Sequence, residues 1–134
     1  MDKYSKKLIE LLKDHIDPMV KADRNLPSYS VALTSDPEYI GELIHSFGIN
    51  PFHDEWSVYY QDEDHGGRYE HAYCPDVRTA CAWFIRFSDY YYHLAEYLPF
   101  FEDKNDPEFV EAMKKVERTS RYNLKDYKVY TDNL

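Results

Sequence analysis

Apolar positions near the start of the chain recur at helical spacing: Tyr4, Leu8, Leu11, Leu12, Ile16 and Met19 share one face. The spacing predicts a helix over at least residues 3–16. Asp17-Pro18 is expected to end or kink it, because proline lacks the N–H and crowds the preceding turn. Tyr29-Ser30-Val31-Ala32-Leu33 reads as a short strand. Tyr39, Ile40, Leu43, Ile44 and Phe47 return to the helical period and predict a helix over residues 36–47, with Gly48 as its stop. Residues 55–61 then alternate, with Trp56, Val58 and Tyr60 opposite Ser57, Tyr59 and Gln61. Residues 68–73 alternate as well, and the polar, glycine-bearing Asp62-Glu63-Asp64-His65-Gly66-Gly67 lies between. The pair predicts a β-hairpin, with Trp56 in the core.

The next apolar pattern is wider. Over residues 76–98, Val77, Ala80, Cys81, Phe84, Ile85, Phe87, Tyr91, Tyr92, Leu94, Ala95 and Leu98 share one side of a helical wheel. Trp83, Tyr90 and Tyr97 extend it, which makes the apolar arc about twice that of an ordinary surface helix. Either this helix is central and packed on two sides, or part of it faces a partner. Phe109, Val110, Met113 and Val116 predict a last helix over residues 107–118, and Tyr127-Lys128-Val129-Tyr130 offers an edge strand. Ser35-Asp36-Pro37-Glu38 and Asn105-Asp106-Pro107-Glu108 each supply a capping acid, a proline for the first helical position and a further acid near the positive helix end. Cys74-Pro75-Asp76 is a weaker version of the same device. The expected fold class is α+β, a small antiparallel sheet with its hairpin packed on helices, in one domain spanning residues 1–134.

Charge changes this picture by its placement. The chain of 134 residues carries a net charge of −9. Residues 36–76 hold ten acidic groups (Asp36, Glu38, Glu42, Asp54, Glu55, Asp62, Glu63, Asp64, Glu70 and Asp76) against Arg68 alone, so this third accounts for the whole excess. Such a block repels nucleic-acid phosphates and anionic lipid and attracts a basic partner. No apolar run approaches the length of a membrane span, and the N-terminus lacks the apolar stretch of a signal peptide, so a cytoplasmic protein is expected. Cys74 and Cys81, if both near the start of one helix, stand about two turns apart. That is too far to bridge and suits a reducing compartment.

Catalytic chemistry needs a nucleophile with its base, paired acids, or metal ligands at a workable spacing. The chain has no G-x-S-x-G, P-loop or dinucleotide-binding glycine pattern. His53, His65, His71, His93, Cys74 and Cys81 are the candidate metal ligands, but His71-x-x-Cys74 followed by Cys81 has no fourth ligand at a zinc spacing. Asp62, Asp64 and Gly67 fail the calcium-loop pattern, which requires a glutamate where Tyr73 stands. His53-Asp54-Glu55 reads as a polar approach to a strand. The chain is therefore expected to bind rather than catalyse, without metal or cofactor.

Fourteen tyrosines support recognition, since tyrosine combines a large ring with a hydroxyl at low entropic cost. Aromatics and the acidic excess coincide at residues 54–73. The expected partner surface is Asp54, Glu55, Tyr60, Asp62, Glu63, Asp64, Tyr69 and Glu70, with Tyr90 from the following helix. Trp56-Ser57-Val58-Tyr59-Tyr60, the turn Asp64-His65-Gly66-Gly67, and Ala80-Cys81-Ala82-Trp83-Phe84 together resemble the small acidic immunity proteins of bacterial polymorphic and contact-dependent toxin systems. The resemblance spans residues 29–87. It implies a cytoplasmic protein that binds its cognate toxin and blocks the active site or substrate access, with no catalytic residues of its own. Two other readings stay open. One is an inhibitor of a nucleic-acid enzyme of the kind phages encode, whose acids mimic phosphates. The other is a small-ligand binder or enzyme using the histidines and acids beside the hairpin.

Overall fold

The computed structural model describes residues 2–22, 28–31, 45–62 and 67–118. The chain begins with α1 (Lys3–Leu11), capped by Asp2, whose carboxylate accepts from the Tyr4 N–H at 2.9 Å and the Ser5 N–H at 3.1 Å. Pro18 neither ends nor breaks the helix. Residues Leu12–Ile16 widen into a π turn, in which the Asp17 N–H donates to the Leu12 carbonyl five residues back, and α2 (Asp17–Ala22) continues beyond it. Widening the helix just before a proline accommodates both its missing N–H and its ring.

Among the described residues, five strands form one sheet in sequential order: β1 (Ser28–Val31), β2 (His45–Phe52), β3 (Glu55–Asp62), β4 (Gly67–Cys74) and β5 (Glu117–Arg118). β1 and β2 are parallel and the other neighbours antiparallel. With the helices, this is the expected α+β class, and the hairpin of residues 55–61 and 68–73 is β3–β4.

The helix expected over 36–47 is corrected at its end: His45, Ser46 and Phe47 begin strand β2, and Gly48 lies within that strand instead of stopping a helix. Residues 36–44 and the possible strand at 127–130 lie outside the described residues. β1 ends opposite Ile49, so Pro51 lies beyond that pairing and has no donor to supply there. The helix expected over 107–118 is α5 (Pro107–Lys114), and the chain then turns so that Glu117 and Arg118 pair with Tyr73 and Ala72.

The helix expected over 76–98 is α3 (Val77–Tyr92). It stops because His93 adopts the left-handed conformation (φ 53, ψ 47), and the Asp89 carboxylate takes the Ala95 N–H at 2.8 Å. A 3-10 turn (Ala95–Tyr97) and α4 (Leu98–Phe101) follow. Every residue from Thr79 to Ile85 is buried, as are Phe87, Ser88 and Tyr92. A helix packed on one face cannot bury seven consecutive residues. α3 meets β2, β3 and β4 as well as α1, α4 and α5, so it is central and packed on two sides.

The sheet presents Ile49, Val58 and Ala72, paired in register across three strands, to this core. A β-bulge at Val58/Tyr59 inserts His71, which then turns toward α3 beside Ala72. Its ring stacks on Phe87, with centroids 4.0 Å apart, and also meets Trp83. Ser57 and Tyr59, on the opposite face of β3, are fully buried too. Among the described residues, no helix is long and apolar enough to cross a membrane.

Phe84 is fully buried in the middle of α3. Phe84→Ala should cost about 3–5 kcal/mol of stability, measured by urea unfolding at unchanged slope.

Candidate functional site

The topology separates acids that adjoin in the sequence. Phe52 pairs with Glu55, leaving His53 and Asp54 as a two-residue turn between β2 and β3. Asp62 pairs with Gly67 at the other end of the hairpin. Seven residues of strand at ~3.3 Å each put Glu55 and Asp62 about 23 Å apart. Asp54 and Glu55 therefore belong to one end of the sheet, and Asp62 with the tip to the other.

Glu63 and Asp64 lie outside the described residues, as do the side chains of Asp62, Tyr69, Glu70 and Tyr90. Backbone register still places Tyr69 opposite Tyr60 near the tip and Glu70 opposite Tyr59, while Tyr90 falls in the last turn of α3. Tyr60 is half-buried against the core. Tyr59 and Tyr92 are fully buried packing groups.

At the Glu55 end, the starts of α1, β3, α3 and α5 surround a solvent-open cleft of about 680 Å³. Its aromatic walls are Tyr4, Trp56 and Phe109, and its charged rim is Asp2, Lys3, Asp76, Arg78 and Glu108. Local sequence explains this convergence. Three helices start nearby, each with a capping aspartate: Asp2 for α1, Asp76 (accepting from the Thr79 N–H at 2.8 Å) for α3, and Asp106 (from the Glu108 N–H at 3.0 Å) for α5. The proline device at 105–108 serves as anticipated; at 74–76 Asp76 caps α3, but Pro75 precedes the cap instead of occupying the first helical position.

Arg78 ties these elements together. Its Nε donates to the Phe101 carbonyl at 2.8 Å and its Nη1 pairs with Asp106. Its guanidinium lies 5.4 Å from the Tyr4 ring centre and 5.0 Å from that of Phe109. Lys3 stands over Tyr4 at 5.0 Å. The Arg78 hydrogen bond holds the Asp106 carboxyl below the usual aspartate range. Burial pushes the Asp2 carboxyl up, but hydrogen bonds from Ser5 and Tyr4 outweigh it and leave a net lowering.

Trp56 is corrected from core to cleft wall. It packs against the core from the edge and is only partly buried. Sequence reasoning missed its role, and those of Asp2, Asp76, Arg78 and Glu108, because they are distant in the chain. The available signal was the tryptophan directly after Asp54-Glu55.

Of the candidate metal ligands, His71 is committed to stacking on α3. His53, at φ 54, is the first residue of the exposed turn, and His93 caps α3. Cys74 closes β4 whereas Cys81 lies within α3, so the two do not share the start of a helix; both are buried free thiols. Burial raises both far above a free thiol, and Asp76 adds to each by charge, as do Glu55 for Cys74 and Asp2 for Cys81. His65 lies outside the described residues. No protein family, curated protein or solved structure matches the chain.

Two outcomes follow from these environments. The Asp106 carboxyl is lowered on folding, so its contribution to stability is complete above the unfolded aspartate value of about 3.9 and disappears as pH falls through the folded one. Asp106→Asn keeps the cap oxygen but loses the ion pair. Its urea midpoint should fall below that of the parent at pH 7, and the gap should close as pH falls through the lowered folded-state value. Cys74 and Cys81 should react with a thiol reagent at pH 8 at least about tenfold more slowly in native than in unfolded protein, followed by absorbance of the released chromophore.

Proposed function

We propose that the chain is a cytoplasmic immunity protein, which binds a basic bacterial toxin domain and blocks its active site or access to its substrate. The observation that carries this reading is that Asp54, Glu55 and Asp76, the acids of the 36–76 segment whose side chains the structure describes, form no ion pair among the described residues. Ion pairs in the described residues use Glu10, Glu102, Asp106 and Glu111, all outside the acidic segment 36–76. Asp54 is exposed; Glu55 and Asp76 are partly so.

Uncompensated carboxylates at the end of a rigid sheet repel one another in the free protein and gain on meeting cations. They steer a basic partner to the surface and add specificity. The acids at the hairpin tip extend the same field to the far end of the sheet. A toxin domain that ordinarily holds an anionic substrate presents the complementary charge, which suits an inhibitor covering its active site.

A toxin gene should lie beside the gene for this chain, and co-production of the two should protect cells and yield a one-to-one complex. Failure to bind or protect would overturn the reading. In that complex, neutralising Asp62, Glu63 and Asp64 together should slow association about tenfold at low salt and flatten its salt dependence, with the fold intact by circular dichroism. Stopped-flow mixing over a salt series measures both quantities.

A further inference from the structure

Two of the three aromatic rings in the cleft are already engaged by cations. Tyr4 carries Lys3 and Arg78, and Phe109 carries Arg78. Trp56 is different. It lines the cleft half-buried, and among the described residues its side chain has no hydrogen bond, ring stack or cation contact. Tryptophan gives the strongest aromatic face for a cation.

The charges around it favour the same kind of visitor. Asp106 neutralises Arg78, so the remaining rim is Asp2, Asp76 and Glu108 against Lys3. An anion has little to gain here, because Asp2 and Asp76 already occupy the helix N-termini where an anion would sit. Thr79, another lining residue, is fully buried, and its Oγ1 has no hydrogen-bond partner among the described residues.

We infer that this cleft receives a basic side chain of a protein partner, an arginine or lysine, with its cation over the Trp56 ring and inside the rim of Asp2, Asp76 and Glu108. The inference rests on the reading of the protein as a binder of a basic toxin domain, and it names the point of contact. Arg78 supplies the internal precedent: the same cleft holds a guanidinium between aromatic faces, fixed by a carboxylate and a backbone carbonyl. The cleft is open to solvent, and its volume of about 680 Å³ exceeds that of a single side chain. A tryptophan in such a place has the character of an interface hot spot. Contact here would leave the hairpin tip, about 23 Å away along β3, to steer the approach.

The test uses the intact protein and two capped tripeptides, one with a central arginine and the other with neutral, nearly isosteric citrulline. In nitrogen–proton correlation spectra, the arginine peptide should shift the Trp56 indole N–H and the amides of Val77 and Glu108. Trp83 is fully buried, so its indole serves as the silent control. Citrulline should bind about tenfold more weakly, and Glu108→Gln, on the exposed side of α5, should weaken arginine binding about threefold. Trp56→Leu should abolish the response, while the unfolding midpoint reports whether that variant remains folded. Equal binding of the citrulline peptide, shifts confined to residues near 62–67, or no shift at tens of millimolar peptide would overturn the inference. Arginine binding without toxin protection would sink the proposed function and leave the cleft standing. Protection without arginine binding would do the reverse.

Discussion

Burial of α3 around nearly its whole circumference constrains everything else in the structure. Seven consecutive buried residues, Thr79 to Ile85, leave no face for water. The helix must be covered by the sheet as well as by other helices, and β2–β4 with α1, α4 and α5 supply that cover. The bulge in β4 is one consequence, since it turns His71 onto Phe87 where a regular strand would point it away. The buried Ser88 is tolerated because its hydroxyl donates to the Phe84 carbonyl at 2.7 Å.

The N-terminal end of α3 is where these elements have to meet, so it is also where helix starts accumulate. Each start needs partners for its free N–H groups, and each has an aspartate to provide them. Convergent capping therefore concentrates carboxylates around one cleft as a by-product of folding. Arg78 offsets part of that charge, and its guanidinium joins α3 to the end of α4 and the start of α5. Thus the cleft's acidity comes partly from structural caps, whereas Asp54 and Glu55, at the β2–β3 turn, have no capping duty among the described residues.

Aromatic residues divide along similar lines. Tyr59 and Tyr92 are fully enclosed and pack the interior. Tyr97, partly exposed, places its hydroxyl 2.8 Å from the nearer ring nitrogen of His15 and so links the π turn to the 3-10 turn. Phe100, exposed at 43%, lies against Tyr4 with its ring 5.8 Å from the Lys7 ammonium. Trp56 stands apart because its surroundings leave it a ring face to offer.

The sequence by itself determined the hairpin, the first and central helices, the cap at Asp106 and the confinement of acidic excess to residues 36–76. These rest on local periodicity and on the spacing of prolines and aspartates, which tertiary contacts did not override. Tertiary structure decided the rest. The apolar period through Phe47 looked helical until pairing with β3 and β1 drew residues 45–47 into a strand. His93 ended α3 without a glycine to announce it. The cleft brings together Asp2, Trp56, Asp76 and Glu108 from more than 100 positions of chain. No local pattern encodes that meeting, because it follows from packing three helix starts and a strand start around one nearly fully buried helix.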